Sequence, residues 1–448
     1  MTGPESEFRM TGARHTGGRR ITGIALAACL VGLPATAQWP QFRGPTGQGK
    51  AGDVTVPLKW KPDLHIRWKT EIEGLGHSSP VIEGNQIWLT TASTDGKTLG
   101  AIGLDRETGK ILRTVTMLTP SHVEEIHAKN SYASTTPVLH DGKLYAHFGT
   151  YGAAAIDTAT GEVLWRNENL AIEHQGGPGS SPVLFRPAGL LIVTCDGADA
   201  QYVAALDIRS GREVWRRLRS APLRDNLITH RAFATPLLIE YQGQHQLISP
   251  GADQLHAYDP ATGAELWHVR YTGFSTVPCP VFDGEAVYFC TGYFNPQLWA
   301  VRPDGKGDVT ETHILWKYDT AVPDTPSPIL REDQLLMVSD KGLGTVLDPK
   351  TGKRRATFRL NGNFAASPID VGEHLLFCSE EGRVRVVNPE PKPRIVESYE
   401  FPGRLMASPA VAGQELYFRT DQALYRVEET ASGNTPPAST ANKKREGD

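Results

Sequence analysis

Neither sign of charge is in excess: 46 Lys and Arg against 50 Asp and Glu leave a formal net charge of -4 over 448 residues. The basic residues are scattered rather than striped, so the electrostatic footprint of a nucleic-acid-binding protein is missing, and binding of nucleic acid is set aside. Sulfur is as sparse, with 5 Cys and 5 Met. No Cys-x-x-Cys-His segment attaches haem, and no two cysteines are adjacent. Past the N-terminal leader, no run reaches the 18 or more apolar residues that span a bilayer, so the mature chain is expected to lack a transmembrane segment.

What the chain has in quantity is repetition. A small residue followed by proline and an aliphatic residue comes round eight times, at Pro80, Pro137, Pro182, Pro236, Pro280, Pro328, Pro368 and Pro409. Successive prolines stand 57, 45, 54, 44, 48, 40 and 41 residues apart. That is the period of a four-stranded propeller blade and is too long for most helical solenoid repeats. The length alone would suggest about three ordinary domains, but a repeat running nearly end to end argues for one ring. A ring of repeats builds its site from the loops of several copies, so function is sought in what departs from the repetition.

The two ends stand outside the repeat. Arg14, Arg19 and Arg20, an apolar stretch from Ile21 to Leu33 and Ala35-Thr36-Ala37 have the order of a secretory signal, so residues 1–37 are read as a signal peptide with maturation at Gln38. Arg19-Arg20 also permits a twin-arginine reading, and Leu26-Ala27-Ala28-Cys29 a lipoprotein box with Cys29 as the lipidated residue and an outer-membrane anchor. The expected location is therefore periplasmic or secreted. Residues 38–64 form an N-terminal arm whose Trp39, Phe42 and Trp60 are expected to plug or brace the outside of the ring. Residues 65–428 form the propeller. Residues 429–448, rich in Ser, Thr, Asn, Pro and charge, are read as a disordered tail.

Within one repeat, four short apolar or β-branched runs are separated by turn residues, as in Ser181-Pro182-Val183, Leu190 to Thr194, Val203 to Asp207 and Gly211 to Trp215. The last two runs are joined by Asp-x-x-Ser/Thr-Gly, which recurs at Asp105, Asp157, Asp207, Asp259 and Asp348. Glycine there supplies a positive φ, and the Asp carboxylate can accept from the turn amides. Trp165, Trp215, Trp267 and Trp316 on the fourth run are expected to wedge between blades. That tryptophan is replaced near Leu112 and near Arg354 to Ala356, where weaker seams are expected. Cys195, Cys279, Cys290 and Cys378 are read as buried free thiols, because Cys279 and Cys290, the one nearby pair, fall out of direct register on their hairpin.

After Pro409 the chain stops one strand short of a blade, while His65 to Thr70 precede the first repeat with no blade of their own. Pairing these ends closes the ring and removes exposed edges. The expected fold is all-β: an eight-bladed β-propeller of four-stranded antiparallel blades, existing as a monomeric ring, with its last blade completed by the N-terminal strand.

Asp/Tyr-x-x-Thr-Gly-x-x-x-Trp followed by Ser-Ser-Pro-Val resembles the pyrroloquinoline-quinone (PQQ)-type propeller repeat shared by quinoprotein dehydrogenases and the outer-membrane assembly factor BamB. Trp39-Pro40-Gln41-Phe42-Arg43-Gly44-Pro45 and His127-Ala128-Lys129-Asn130-Ser131-Tyr132 resemble a group of secreted PQQ-like repeat proteins of bacteria such as planctomycetes. The resemblance covers roughly residues 39 to 428. It implies the fold, and a repeat name does not fix chemistry. Quinoprotein alcohol dehydrogenases typically carry a disulfide between adjacent cysteines over the quinone, which this chain cannot form, and their calcium ligands and catalytic Asp have no match here.

In such a blade the crossovers and the loops between strands two and three open on one face, and the tight turns on the other. The crossover face is therefore where a site is sought. It is expected to gather His77, His127, Lys129, Asn130, His174, Asp196, His230, Arg231 and Arg404 around a central funnel, with Asp324 and Asn363 among further polar residues of the same loops. Converging imidazoles and carboxylates can bind a polar ligand such as a sugar, or a divalent metal. The same histidines can equally satisfy loop backbone groups, and none has a local metal spacing. The expected function is a non-catalytic binding or assembly module of the cell envelope, taking a protein partner or polysaccharide at the funnel face, with no cofactor required. The alternative is a quinoprotein-like oxidoreductase or a metal-dependent enzyme acting on carbohydrate, with PQQ or a metal in the funnel.

Overall fold

The computed structural model describes residues 38–52, 54–59 and 65–429. The leader with Cys29, Trp60 and the tail from residue 430 lie outside the described residues. Among the described residues, eight antiparallel sheets of four strands follow one another as the blades of a ring, and the fourth blade adds a two-residue strand, Gly307–Asp308, beside its outer edge. The last sheet is closed by both ends of the chain. Ile66–Glu71 pairs antiparallel with Ala423–Val427, placing Lys69 opposite Tyr425, and Ala410–Ala412 and Glu415–Arg419 complete that blade.

The recurrent small residue before proline has a direct role. The backbone N–H of Ser79 donates to the hydroxyl of Thr136, Thr136 to Ser181, Ser181 to Thr235, Cys279 to Ser327, Ser327 to Ser367 and Ser367 to Ser408, all at 2.9 to 3.0 Å. At six of the eight seams one blade thus satisfies the amide of its neighbour, and hydroxyls line the channel. Proline next in the chain has no N–H of its own to satisfy at this crowded axis. Cys279 donates its own N–H in the series but, with a thiol that is a weak acceptor, interrupts the sequence of acceptors.

The fourth-strand tryptophans seal the seams on the outside. Trp165 packs on Gly211 and Trp215 on Gly263 of the following blades, and a Cβ at Gly211 would stand 2.4 Å from the Trp165 ring. Their indole N–H groups donate to the turn carbonyls of Ile208 and Pro260, and Trp316 repeats the contact at Pro349. Trp68, on the N-terminal strand, does the same across the closing seam, against Gly109 and the Arg106 carbonyl. In the first blade Arg113 takes the tryptophan position and reaches the carbonyl of Ala159. Ala356 in the sixth blade and Glu397 in the seventh occupy the position without an indole.

Of the two roles expected of it, the arm plugs rather than braces, crossing the tight-turn end of the channel. Trp39 exchanges two backbone hydrogen bonds with Ile82, Pro40 accepts from Leu139, and Gly49 and Ala51 bond Asp370 on the far side. Gln48 accepts from the Phe282 amide at 2.8 Å. Arg43, fully buried, sends Nη2 to the Pro328 carbonyl at 2.7 Å, and Phe42 reaches into the channel. Tight apolar packing, backbone pairing with three blades and side-chain hydrogen bonds to two more make the arm the floor of the ring. The four described cysteines are buried and free.

Candidate functional site

With one end plugged, the channel becomes a cup of about 580 Å³ open on the crossover face, within the range that holds small ligands or short peptide segments. Its wall follows the strand period. Seven of the eight residues before the repeat prolines line the cup, Cys279 excepted, and so does the residue two earlier in every blade: His77, Ser134, Gly179, Phe233, Val277, Thr325, Ala365 and Met406. The lower tier is a nearly uniform ring of seven hydroxyls, broken at Cys279. The upper tier differs in every blade, which is where selectivity can arise.

Of the residues expected at the funnel, His77, His127, Lys129, Asn130 and Arg231 line the cup. Burial, with Arg419 and Arg404 nearby, lowers His77 to about 4, so its imidazole is neutral at pH 7. His127 accepts the Lys129 amide through Nδ1 at 3.2 Å, and Asn130 ties its loop to the carbonyls of Gly176 and Pro178. Lys129 reaches over the mouth to Glu380 at 3.0 Å, and Arg404 meets the same carboxylate at 3.3 Å.

The other three are held elsewhere. His174 is buried against Tyr151 and faces Glu124 at 3.4 Å, and burial lowers it to about 4. Asp196 forms a buried bidentate pair with Arg219, at 2.6 and 2.8 Å. His230 turns both ring nitrogens onto backbone carbonyls, of Ala198 at 2.9 Å and Arg224 at 2.7 Å. Their polar atoms are consumed by the loops that carry them, and none lines the cup.

Asp324, expected among the further polar residues of these loops, completes the cup together with residues not expected there. Phe42 forms the floor, Phe233 and Tyr293 supply aromatic wall, and Asp324, Asp340 and Lys341 stand on the sixth-blade side. Asp340 Oδ2 accepts the Asp324 amide at 2.7 Å, and Asp324 Oδ1 is buried without a hydrogen-bond partner. Burial and the neighbouring Asp340 push the Asp324 carboxyl up to about 6. The inward tier could have been found by counting two residues back from each small residue before proline. The floor could not, because the arm lies outside the repeat.

These residues fit a quinone cofactor poorly. PQQ is a flat tricarboxylate, and two acidic side chains, one with a partnerless buried oxygen, face the space it would occupy. The four described cysteines sit apart in the sequence, so no pair of neighbours caps the cup. Among the described residues no three His, Cys, Asp or Glu side chains group as a metal cluster. No described helix is long and apolar enough to cross a membrane.

Comparison with known proteins adds the fold's relatives. A family described as outer membrane protein assembly factor BamB matches residues 60–184 and 199–435. An uncharacterized protein of Rickettsia conorii, RC0314, is 21% identical over 239 residues, covering 52% of this chain and 53% of that protein. The chain thus spans about half the length of that curated relative. Among solved structures, BamB from Moraxella catarrhalis superposes with a TM-score of 0.56 at 16% identity, covering 82% of this chain and 99% of that one. Quinohemoprotein alcohol dehydrogenase from Comamonas testosteroni gives 0.63 at 12% identity, over 92% and 83%. A europium-containing methanol dehydrogenase gives 0.56 at 10%, over 88% and 98%. At these identities the structural likeness establishes the propeller fold alone.

Proposed function

This chain belongs to the family described as outer membrane protein assembly factor BamB, and from that premise we propose that it is a non-catalytic binding module of the bacterial envelope, a single closed ring that holds a protein partner on its crossover face. The reading requires no cofactor. The observation that carries it is the apolar rim of that face. Phe294 is 72% exposed and Tyr293 48%, on the loop between the second and third strands of the fifth blade. Their rings lie 4.7 Å apart, with Phe274 behind both. Phe294 holds a φ of +86°, uncommon for a residue with a side chain. Leu223, Leu227 and Ile228, also exposed, project from the third crossover on the same face.

Exposed aromatic and aliphatic side chains bordering a polar cup are the anchors of protein interfaces, where a few such residues carry most of the binding energy. They favour a protein partner over a polysaccharide. The secretory order of the leader and the family's description support an envelope location. The test is cross-linked capture from envelope extract with Phe294→Asp/Leu227→Asp, against Glu285→Lys on the tight-turn face. The rim variant is expected to lose the captured partner at unchanged thermal stability. Equal capture by both variants, or loss with Glu285→Lys alone, would sink the reading.

A further inference from the structure

The cup holds charges that the protein itself leaves uncompensated. Arg231 is pinned by the protein without being neutralised by it: Nε donates to Ser275 Oγ at 2.6 Å and Nη1 to the Gln175 carbonyl at 3.0 Å. Its backbone carbonyl accepts from Ser275 at 2.8 Å, and Ser275 sits at a φ of +52° to reach it. Among the described residues no carboxylate pairs with Arg231, although it is only partly exposed. Burial without a counter-charge lowers its guanidinium from the ordinary value. Two of its nitrogens are spent on neutral acceptors, and Nη2 is left for the cup.

Asp324 and Asp340 stand in the same cup, on the sixth blade, while Arg231 leads into the fourth. Neither acid forms an ion pair among the described residues, and Lys341 beside them donates to Asn363 instead. The cup therefore presents a fixed cation and a fixed acidic pair that do not reach one another. Keeping opposite charges partly buried and apart is costly, and the cost is recovered only by a ligand that meets both. Between them lie the aromatic faces of Phe233 and Tyr293 and the Phe42 floor.

We infer that the cup binds a short peptide carrying both a free carboxylate, received by Arg231, and a free ammonium, received by Asp324 and Asp340. This rests on the reading of the crossover face as a binding surface and supplies the chemistry of its centre. A fork-shaped guanidinium matches a carboxylate, and an ammonium offers three donors to a pair of acids. A uronate-bearing polysaccharide lacks the ammonium and is repelled by the acidic side. A peptide of about three residues spans at most about 10 Å.

The test is calorimetric titration at pH 7.5 of the full mature chain with trialanine, N-acetyl-trialanine, trialanine amide and the doubly blocked peptide. Trialanine is expected to bind, and each block to weaken binding about tenfold or more, the size of one charge-assisted contact. In Arg231→Gln, amidation is expected to stop mattering while acetylation still matters. In Asp324→Asn/Asp340→Asn the pattern reverses, and Arg231→Lys restores sensitivity to amidation. Equal binding of blocked and free peptide to the unaltered protein overturns the inference, whatever the variants do. So does binding of digalacturonate in place of trialanine. Absence of trialanine binding while the rim still captures its partner overturns this inference alone and leaves the proposed function standing.

Discussion

Two of the three arginines of the third crossover have opposite fates. Arg219, at its start, is wholly buried and meets Asp196 with both nitrogens of its fork, while Ser249 takes a further donor. Arg231, near its end, is pinned by a hydroxyl and a carbonyl and has no carboxylate. One loop thus contains a charge that the fold has absorbed and a charge that it holds ready. Burial alone does not separate structural from functional charge; compensation does. The same contrast divides the channel, whose floor is closed by the backbone pairing of the arm while its mouth keeps unpaired polar groups.

The largest expected effect lies on the absorbed side. Arg219→Met leaves Asp196 buried without its partner and is expected to cost about 3–5 kcal/mol in urea unfolding. Replacing both residues, as Asp196→Leu/Arg219→Met, is expected to recover most of that loss, since a buried ion pair is worth little against packed apolar groups. A double variant as unstable as the single one would show that the pair specifies the loop beyond its own charge.

Next comes the floor. Trp39 is fully buried against Gly44 and within the cluster joining the first, seventh and eighth blades. Trp39→Ala is expected to cost about 3–4 kcal/mol, the usual range for removing a large buried aromatic. The arm should also become sensitive to limited proteolysis. A change below about 1 kcal/mol would mean that the arm is a loose plug.

On the ready side the effect should be small. Arg231→Gln loses the bonds to Ser275 and to the Gln175 carbonyl but also relieves an uncompensated cation, so its unfolding free energy is expected to stay within about 1 kcal/mol of the unaltered chain. A loss as large as that of Arg219→Met would erase the distinction between the two arginines.

The ring was legible in sequence because each blade repeats local rules: strand period, a turn glycine, a small residue before proline. Closure by the two ends followed from counting strands. The site was legible only in part, because the crossovers are irregular and bond to one another. His127 and Asn130 are fixed by Gly176 in the next crossover, and His230 is consumed by Ala198 across its own blade boundary. A histidine in a polar loop looks the same in sequence whether its nitrogens face carbonyls or open space. Asp324 and Asp340 are 16 positions apart in the chain, and nothing local announces that one accepts the other's amide. Phe42 has no repeat position at all, so its place beneath the hydroxyl ring emerges only when the arm folds under the blades.

The smallest effect depends on pH and separates the acidic side of the cup from an ordinary surface. The Asp324 carboxyl is raised from 3.8 to about 6, by burial first and by Asp340 second. Between those values the folded protein keeps a proton that the unfolded chain has released. The contribution of this group to stability is therefore full below pH 3.8 and is lost as pH rises through about 6. Asp324→Asn removes that loss. Because the group is partly solvent-accessible, the expected gain at pH 7.5 is only about 1 kcal/mol, and it should vanish at pH 3.5. Urea unfolding of both proteins at the two pH values gives the difference directly. A stabilisation equal at both, or a destabilisation at pH 7.5, would show that Asp324 has a counter-charge within the fold and that the mouth is as fully compensated as the buried pair of Asp196 and Arg219.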